Sequence, residues 1–223
     1  MAQTIHVFDA YGTLFDVHSA TARLATEIGP EAQRLSELWR IKTLEYSWIH
    51  SIAGKPETFR KLLKLGLHYA MAATSVGAPG LAEKLMAAYE ELGAYPDVKD
   101  ALAALRKQRS RIAILSNGDP DMLDKAARAA GIDGLVDHIL SAHEVGIFKP
   151  SSRVYRLAMT KFGAAREEIT FVSSNRWDVA GASAFGFSAM WLNRSHAPDE
   201  YPDMPAALTI PDLHSLPLLK PAS

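Results

Sequence analysis

Ile5-His6-Val7-Phe8 is a short, nearly continuous apolar run that stops at Asp9, and the turn-rich stretch Ala10-Tyr11-Gly12-Thr13-Leu14 follows it. A run of that length bounded by turn residues reads as a buried strand. The period then changes. Through residues 16–95 apolar positions recur at helical spacing, with no convincing strand before Arg111-Ile112-Ala113-Ile114-Leu115. Breakers at Gly29-Pro30, Gly54 and Ala78-Pro79-Gly80 divide this stretch into helices predicted over 19–28, 31–53, 56–76 and 81–92. In the second and longest, Leu35, Leu38, Trp39, Leu44, Trp48 and Ile52 cover a face broad enough to bury against another helix and still look toward a cleft.

From Tyr95-Pro96-Asp97 onward helix and strand alternate. Helices are predicted over 98–108, 120–130, 151–162 and 178–185, and strands over 112–115, 139–140, 169–172 and, as the last one, 189–192. Strands separated by helices of this length imply parallel pairing with right-handed crossovers, an α/β doubly wound sheet. The expected organisation is a discontinuous core, residues 1–15 and 96–223, interrupted by a helical cap, residues 16–95. The proline-rich tail from Pro198 is expected to wrap the surface. Open sheets of this kind bind ligands beyond the carboxyl ends of their strands. Polar residues collect there: Asp9, Ser116-Asn117, Lys149 and Ser173-Ser174-Asn175. A carboxylate ending a buried strand is expensive unless a site uses it.

Composition narrows the partners. With 223 residues, 48% of them hydrophobic, the chain has ample material for a packed core, and its formal net charge of -1 provides no basic field. A small molecule is therefore the expected partner, and neither nucleic acid nor a membrane surface is. Zero cysteines exclude a disulfide scaffold, thiolate catalysis and cysteine metal sites, and suit a reducing, cytoplasmic setting. No basic, apolar leader opens the sequence and no segment approaches a membrane span. The eight histidines, His6 among them, fall on different elements without paired ligand spacing, so surface and loop positions are expected for most of them and a metal is not expected.

Phe8-Asp9-Ala10-Tyr11-Gly12-Thr13-Leu14, Ser116-Asn117-Gly118, Phe148-Lys149-Pro150 and Val172-Ser173-Ser174-Asn175-Arg176-Trp177-Asp178 resemble, in order and spacing, the four motifs of the haloacid dehalogenase superfamily. The Asp-Ala-Tyr opening and the segment from Trp39 to Trp48 are similar to its L-2-haloacid dehalogenase members. The resemblance covers nearly the whole chain. It implies a Rossmann-like doubly wound sheet with an inserted α-helical cap, and cofactor-free hydrolysis of short L-2-haloalkanoic acids to D-2-hydroxy acids and halide. Asp9 would displace the halogen from C2 with inversion, and water would then hydrolyse the resulting aspartyl ester.

The same resemblance distributes the remaining roles. Arg40, Asn117 and Trp177 would cradle the halide, a task suited to a weakly hydrated guanidinium, while Tyr11, Leu44 and Phe59 would wall the substrate's apolar side. Ordinary core packing is the other reading for Leu44 and Phe59. Lys149, placed before Pro150, would favour the charged form of a neighbouring carboxylate and steady charge on the ester oxygen. Tyr155 would orient the charged pair, and Ser173, Asn175 and Asp178 would brace the network and handle the hydrolytic water. Asp178 either polarises that water or serves as a structural partner for Lys149. Thr13 and Ser116 would bond carboxylate oxygens of Asp9 or of the substrate. The phosphatase branch of the superfamily is the competing expectation, with a non-catalytic binding protein behind it. Phosphatases of this pattern carry an acid where this chain has Tyr11 and a metal-binding aspartate where it has Ser174. An alkoxide needs protonation to leave and a halide does not. Dimer formation through the cap's apolar helices and a monomer both fit the pattern.

Overall fold

A computed structural model describes residues 4–218. The first strand, β1 (Ile5–Phe8), is buried along its whole length and forms the middle of a six-stranded sheet. After it come five helices in succession: α1 (Ser19–Arg23), α2 (Ala25–Ile28), α3 (Ala32–Ile52), α4 (Phe59–Ala73) and α5 (Leu81–Glu90). Helix α6 (Val98–Lys107) leads to β2 (Arg111–Ser116), and the alternation continues through α7 (Pro120–Ala129), β3 (His138–Ser141), α8 (Ser152–Phe162), β4 (Ile169–Ser173), α9 (Arg176–Phe185), β5 (Ser188–Leu192) and β6 (Leu208–Ile210). Strand order is β3-β2-β1-β4-β5-β6, and every pairing is parallel.

This order sets where chemistry can occur. Val7 pairs with Ala113 on one side and Phe171 on the other, so β1 is the strand from which the connections wind in both directions. Its carboxyl end faces the crevice that such a reversal leaves open. Asp9 is the first residue past that end, and its backbone N–H still bonds Val172 O at 3.0 Å. The ladder therefore fixes the residue that the motif singles out.

Between β1 and α6 the chain leaves and returns through paired backbone. Asp16 N–H bonds Gly93 O and Tyr95 N–H bonds Leu14 O, each at 3.0 Å. Helix α3 packs along α4, and the Trp39 indole N–H crosses to Leu63 O at 2.9 Å. Pro56 delays α4: the helix begins at Phe59, with Thr58 as its N-cap accepting from Lys61 N–H. The helix expected over 19–28 breaks at Leu24, which leaves the helical region at φ -110° and ψ 14°. Among the described residues no helix is long and apolar enough to cross a membrane.

One expectation about the strands needs correction. The strand at 189–192 is not the last, because Leu208-Thr209-Ile210 adds β6 to the edge of β5. Only Ile210 of that strand is buried, and prolines stand at 205 and 211, so a three-residue edge strand hides within what reads as a surface tail. His6 is an exception to the surface and loop positions expected for most of the histidines. It lies in β1 beside Phe8, its Nδ1 has no partner, and burial pushes its pKa down to about 4.

The unfolded chain protonates His6 near its ordinary value of 6.5, and the folded chain only near 4. Stability linked to this group is complete above pH 6.5 and is lost as pH falls toward 4, by roughly 3 kcal/mol at most. A His6→Leu variant is expected to lose less stability than the parent between pH 7 and 4.5, measured as the shift in urea midpoint. Equal losses in the two proteins would remove His6 as the cause.

Candidate active site

Asp9, Lys149 and Asp178 converge from three different segments. Asp9 ends β1, Lys149 lies in the loop before α8, and Asp178 sits in the first turn of α9. The Lys149 ammonium donates to Asp9 Oδ1 at 3.1 Å and to Asp178 Oδ2 at 2.8 Å. All three are buried, with Lys149 only 1% exposed. The Lys149–Pro150 peptide is cis. Phe171 on β4 lies beneath the ammonium, 4.9 Å from ring centre to nitrogen. Each carboxylate would be costly to bury alone, and one fixed cation serves both.

The second oxygen of Asp9 collects neutral donors. Thr13 Oγ1 donates at 2.9 Å, Asn175 Nδ2 at 2.7 Å and Ser173 Oγ at 3.3 Å. Thr13 reaches back because Leu14 and Phe15 N–H groups both bond Ala10 O, folding the chain into a tight turn after Asp9. The Asn175 amide also connects Asp9 to the helical insertion, since its Oδ1 accepts from Arg40 of α3 at 3.1 Å. Arg40 further donates to Tyr11 O at 3.3 Å. Leu44 and Trp48 follow Arg40 at four-residue steps on the same face of α3.

Tyr155 of α8 donates to Asp178 Oδ1 at 2.7 Å, which completes a chain from Tyr155 through Asp178 and Lys149 to Asp9. Gly181 makes this approach possible, because a Cβ there would stand 2.6 Å from the Tyr155 hydroxyl. Burial raises the Asp178 pKa to about 6, with Asp9 adding to the rise and Lys149 opposing it. Burial also raises Tyr155 and Tyr11 well above the usual phenol value.

The other expected residues lie at varying distance from this centre. Asn117 Oδ1 accepts Lys149 N–H at 2.8 Å, tying the loop after β2 to the lysine's backbone. Ser116 Oγ accepts from Gly118 N–H at 3.1 Å and makes no bond to Asp9, so of the two hydroxyls only Thr13 reaches the carboxylate. Phe59 stacks on Tyr11 with ring centres 5.4 Å apart and planes 8° from parallel. Trp177 meets Trp48 edge to face at 5.5 Å. A groove of about 970 Å³ opens beside this tryptophan pair, lined by residues such as Ile52, Phe148, Pro150 and Phe185. Lys149 lines it and Asp9 does not.

Two residues escaped the sequence reading. Tyr89 of α5 packs on Tyr11 at 5.4 Å and on Trp39 at 5.2 Å, and it shares the lining of a small cavity with Arg40. Its position in an ordinary apolar helix gave no signal. Asp119 follows Ser116-Asn117-Gly118 and looks like a simple helix opener, yet it contacts the insertion.

Magnesium, which members of this fold can carry, does not suit this donor set. The space between the two carboxylates holds the Lys149 ammonium, and Ser174 Oγ donates to Gly12 O at 2.6 Å. Among the described residues no group of three or more His, Asp or Glu gathers as a metal site.

A doubly wound sheet thus brings a strand-end aspartate, a buried lysine and a second aspartate into one site. The sequence profile of the haloacid dehalogenase-like hydrolases matches residues 5–186, and the chain belongs to that family. It is 43% identical to (S)-2-haloacid dehalogenase 4A of Burkholderia cepacia over 96% of this chain and 93% of that protein. A dehalogenase crystal structure superposes with a TM-score of 0.95 at 42% identity, covering 98% of this chain and 97% of the other. An L-2-haloacid dehalogenase from Xanthobacter autotrophicus, solved with chloropropionic acid covalently bound, superposes with a TM-score of 0.88 at 31% identity over 97% and 98% of the two chains.

Replacing Lys149 with methionine leaves two buried carboxylates without their cation. The expected cost is about 3–5 kcal/mol at pH 7, shrinking toward pH 5 as Asp178 takes up a proton. Urea unfolding at the two pH values measures it, and a loss independent of pH would contradict this electrostatic reading.

Proposed function

We propose that this chain hydrolyses short L-2-haloalkanoic acids to D-2-hydroxy acids and halide through an ester formed on Asp9. The observation that carries the reading is the environment of the Asp9 carboxylate. Four donors orient it, a lysine links it to Asp178, and the neighbouring position that would supply an acid holds Tyr11, whose phenol burial makes still less acidic. Such a site can displace a leaving group that departs without a proton. The relatives named above support the same chemistry.

In the first step an Asp9 oxygen attacks C2 opposite the halogen, and the halide departs with the bonding electron pair. Arg40 supplies a fixed positive charge for it, joined by the Asn117 amide and the Trp177 edge. Tyr11, Leu44 and Phe59 exclude water around the alkyl group. Water then attacks the carboxyl carbon of Asp9 while Asp178 accepts its proton. Lys149, Thr13, Ser173 and Asn175 stabilise the oxyanion, Tyr155 holds Asp178 in place, and Ser116 helps hold the substrate carboxylate. Collapse expels the hydroxy acid with the original aspartate oxygen, the departing alkoxide taking back the proton that Asp178 accepted, so that both carboxylates are ionised again. The stereocentre is inverted once.

Residues 16–95 act in this reading as a cap over the carboxylate. Ile41, Ile49 and Ile52 of α3 and Leu65 and Tyr69 of α4 are exposed on the two packed helices, an apolar surface suited to a second copy of the chain. Ile41→Glu with Ile49→Glu is expected to shift sedimentation from dimer to monomer, and a parent protein that sediments as monomer would refute the pairing.

Incubation with L-2-chloropropionate, chloroacetate and 4-nitrophenyl phosphate, with and without chelator, tests the reaction. Halide release that survives chelation is expected, and chelator-sensitive phosphate release would overturn the reading. Because Asp178 must be ionised to accept the proton, kcat is expected to fall as pH drops through about 6. Asp178→Asn is expected to release one equivalent of halide per site and then stop. Steady turnover by that variant would assign the water to another group.

A further inference from the structure

Asp119 occupies the N-cap position of α7, where a short acidic side chain ordinarily turns back onto the first amides of its own helix. Here it makes no such bond. Oδ1 accepts Phe59 N–H at 3.1 Å and Oδ2 accepts Arg60 N–H at 2.9 Å, both from the first turn of α4 in the insertion. Thr58 Oγ1 takes Lys61 N–H at 3.2 Å and Glu57 Oε1 takes Thr58 N–H at 3.0 Å, and the internal ladder begins with Leu62 N–H on Thr58 O. All four amides that a helix start leaves without internal partners are therefore met, two of them by a carboxylate from the sheet's own loop. Asp119 is buried, so its charge faces the positive end of α4 with little screening.

The surrounding ion pairs follow the same seam. Arg60 bridges Glu90 of α5 at 3.1 Å and Asp121 of α7 at 2.6 Å, and Lys125 of α7 meets Glu90 at 2.7 Å. These pairs are partly exposed and individually weak. Asp119 is the buried tie among them.

Phe59, whose amide Asp119 holds, is the ring that lies flat on Tyr11. Gly118 lets Tyr11 approach this loop, since a Cβ at 118 would stand 2.7 Å from Tyr11 Cε2. Asn117, one residue earlier, accepts Lys149 N–H. A three-residue stretch thus touches the charged centre, the Tyr11 ring and the insertion. The backbone pairing at Leu14, Asp16, Gly93 and Tyr95 ties the insertion to the core but does not contact Phe59.

We propose that Asp119 is a positioning residue that docks α4 onto the core, sets the place of Phe59 against Tyr11, and thereby governs discrimination among 2-haloacids by their alkyl group. The specificity half rests on the reading of Tyr11 and Phe59 as the substrate's apolar wall. Asp119 touches neither the reacting carboxylate nor its donors.

Asp119→Ala and Asp119→Asn are compared with the parent by amide hydrogen exchange and by steady-state kinetics on chloroacetate, which has no alkyl group, and on L-2-chloropropionate. In Asp119→Ala, exchange across residues 58–61 is expected to accelerate about tenfold or more, while β1 amides keep their protection. The KM for 2-chloropropionate is expected to rise about tenfold more than that for chloroacetate, with kcat changed less than about threefold. Asp119→Asn, which keeps one acceptor oxygen, is expected to fall between. Unchanged exchange would overturn the docking, and faster exchange with equal KM changes for the two acids would overturn the specificity role. If the parent released halide from neither acid, the specificity role would fall together with the proposed reaction, whereas the docking stands or falls on exchange alone.

Discussion

One ammonium between two buried carboxylates is the constraint around which the molecule is arranged. Lys149 reaches Asp9 and Asp178 within 3.1 Å, and none of the three is more than slightly exposed. Removing charges from water costs several kcal/mol per ion, and a triad recovers that only when its geometry is fixed and its remaining lone pairs are bonded. The structure meets both conditions. Phe171 supports the ammonium from below, Tyr155 donates to Asp178, and Thr13, Ser173 and Asn175 donate to Asp9. The central position of β1 matters for the same reason, since strands on both sides hold Asp9 where Lys149 can reach it.

The triad also determines which reactions the fold can support. A cation fixed by covalent attachment takes the place between the carboxylates, and Tyr11 provides no acid. What remains is a restrained carboxylate with a second one beyond the lysine. In the proposed reaction halide departure asks for positive charge, not a proton, and Arg40 on α3 lies against the Asn175 amide that bonds Asp9. The insertion therefore contributes a side chain to the charged centre.

Much of this was legible in the sequence, for identifiable reasons. Strands buried on both faces are continuous apolar runs, and residues that close a strand end at a ligand crevice are polar, so β1, β2 and β4 and the residues that follow them could be read directly. Lys149 was legible through its motif, and the other motifs pointed to Asp9 and Asp178 as its partners, although these lie 140 and 29 residues away. Tyr89 and Asp119 carried no signal. A tyrosine in an amphipathic helix reads as core, and an aspartate before Pro120 reads as the opener of its own helix. Only the packing of α5 and α4 against the core gives them their contacts. Strand β6 was missed because three residues between prolines are too short for periodicity to register.

The account requires that the oxygen delivered to product come from Asp9 and that solvent oxygen enter the aspartate. A single turnover of L-2-chloropropionate with excess protein in ¹⁸O-water, followed by mass spectrometry of the peptide containing Asp9 and of the hydroxy acid, measures both. The account predicts label in Asp9 and unlabelled 2-hydroxypropionate after that first turnover. Label in the product with none in the peptide would mean that water attacks C2 directly, and would contradict it.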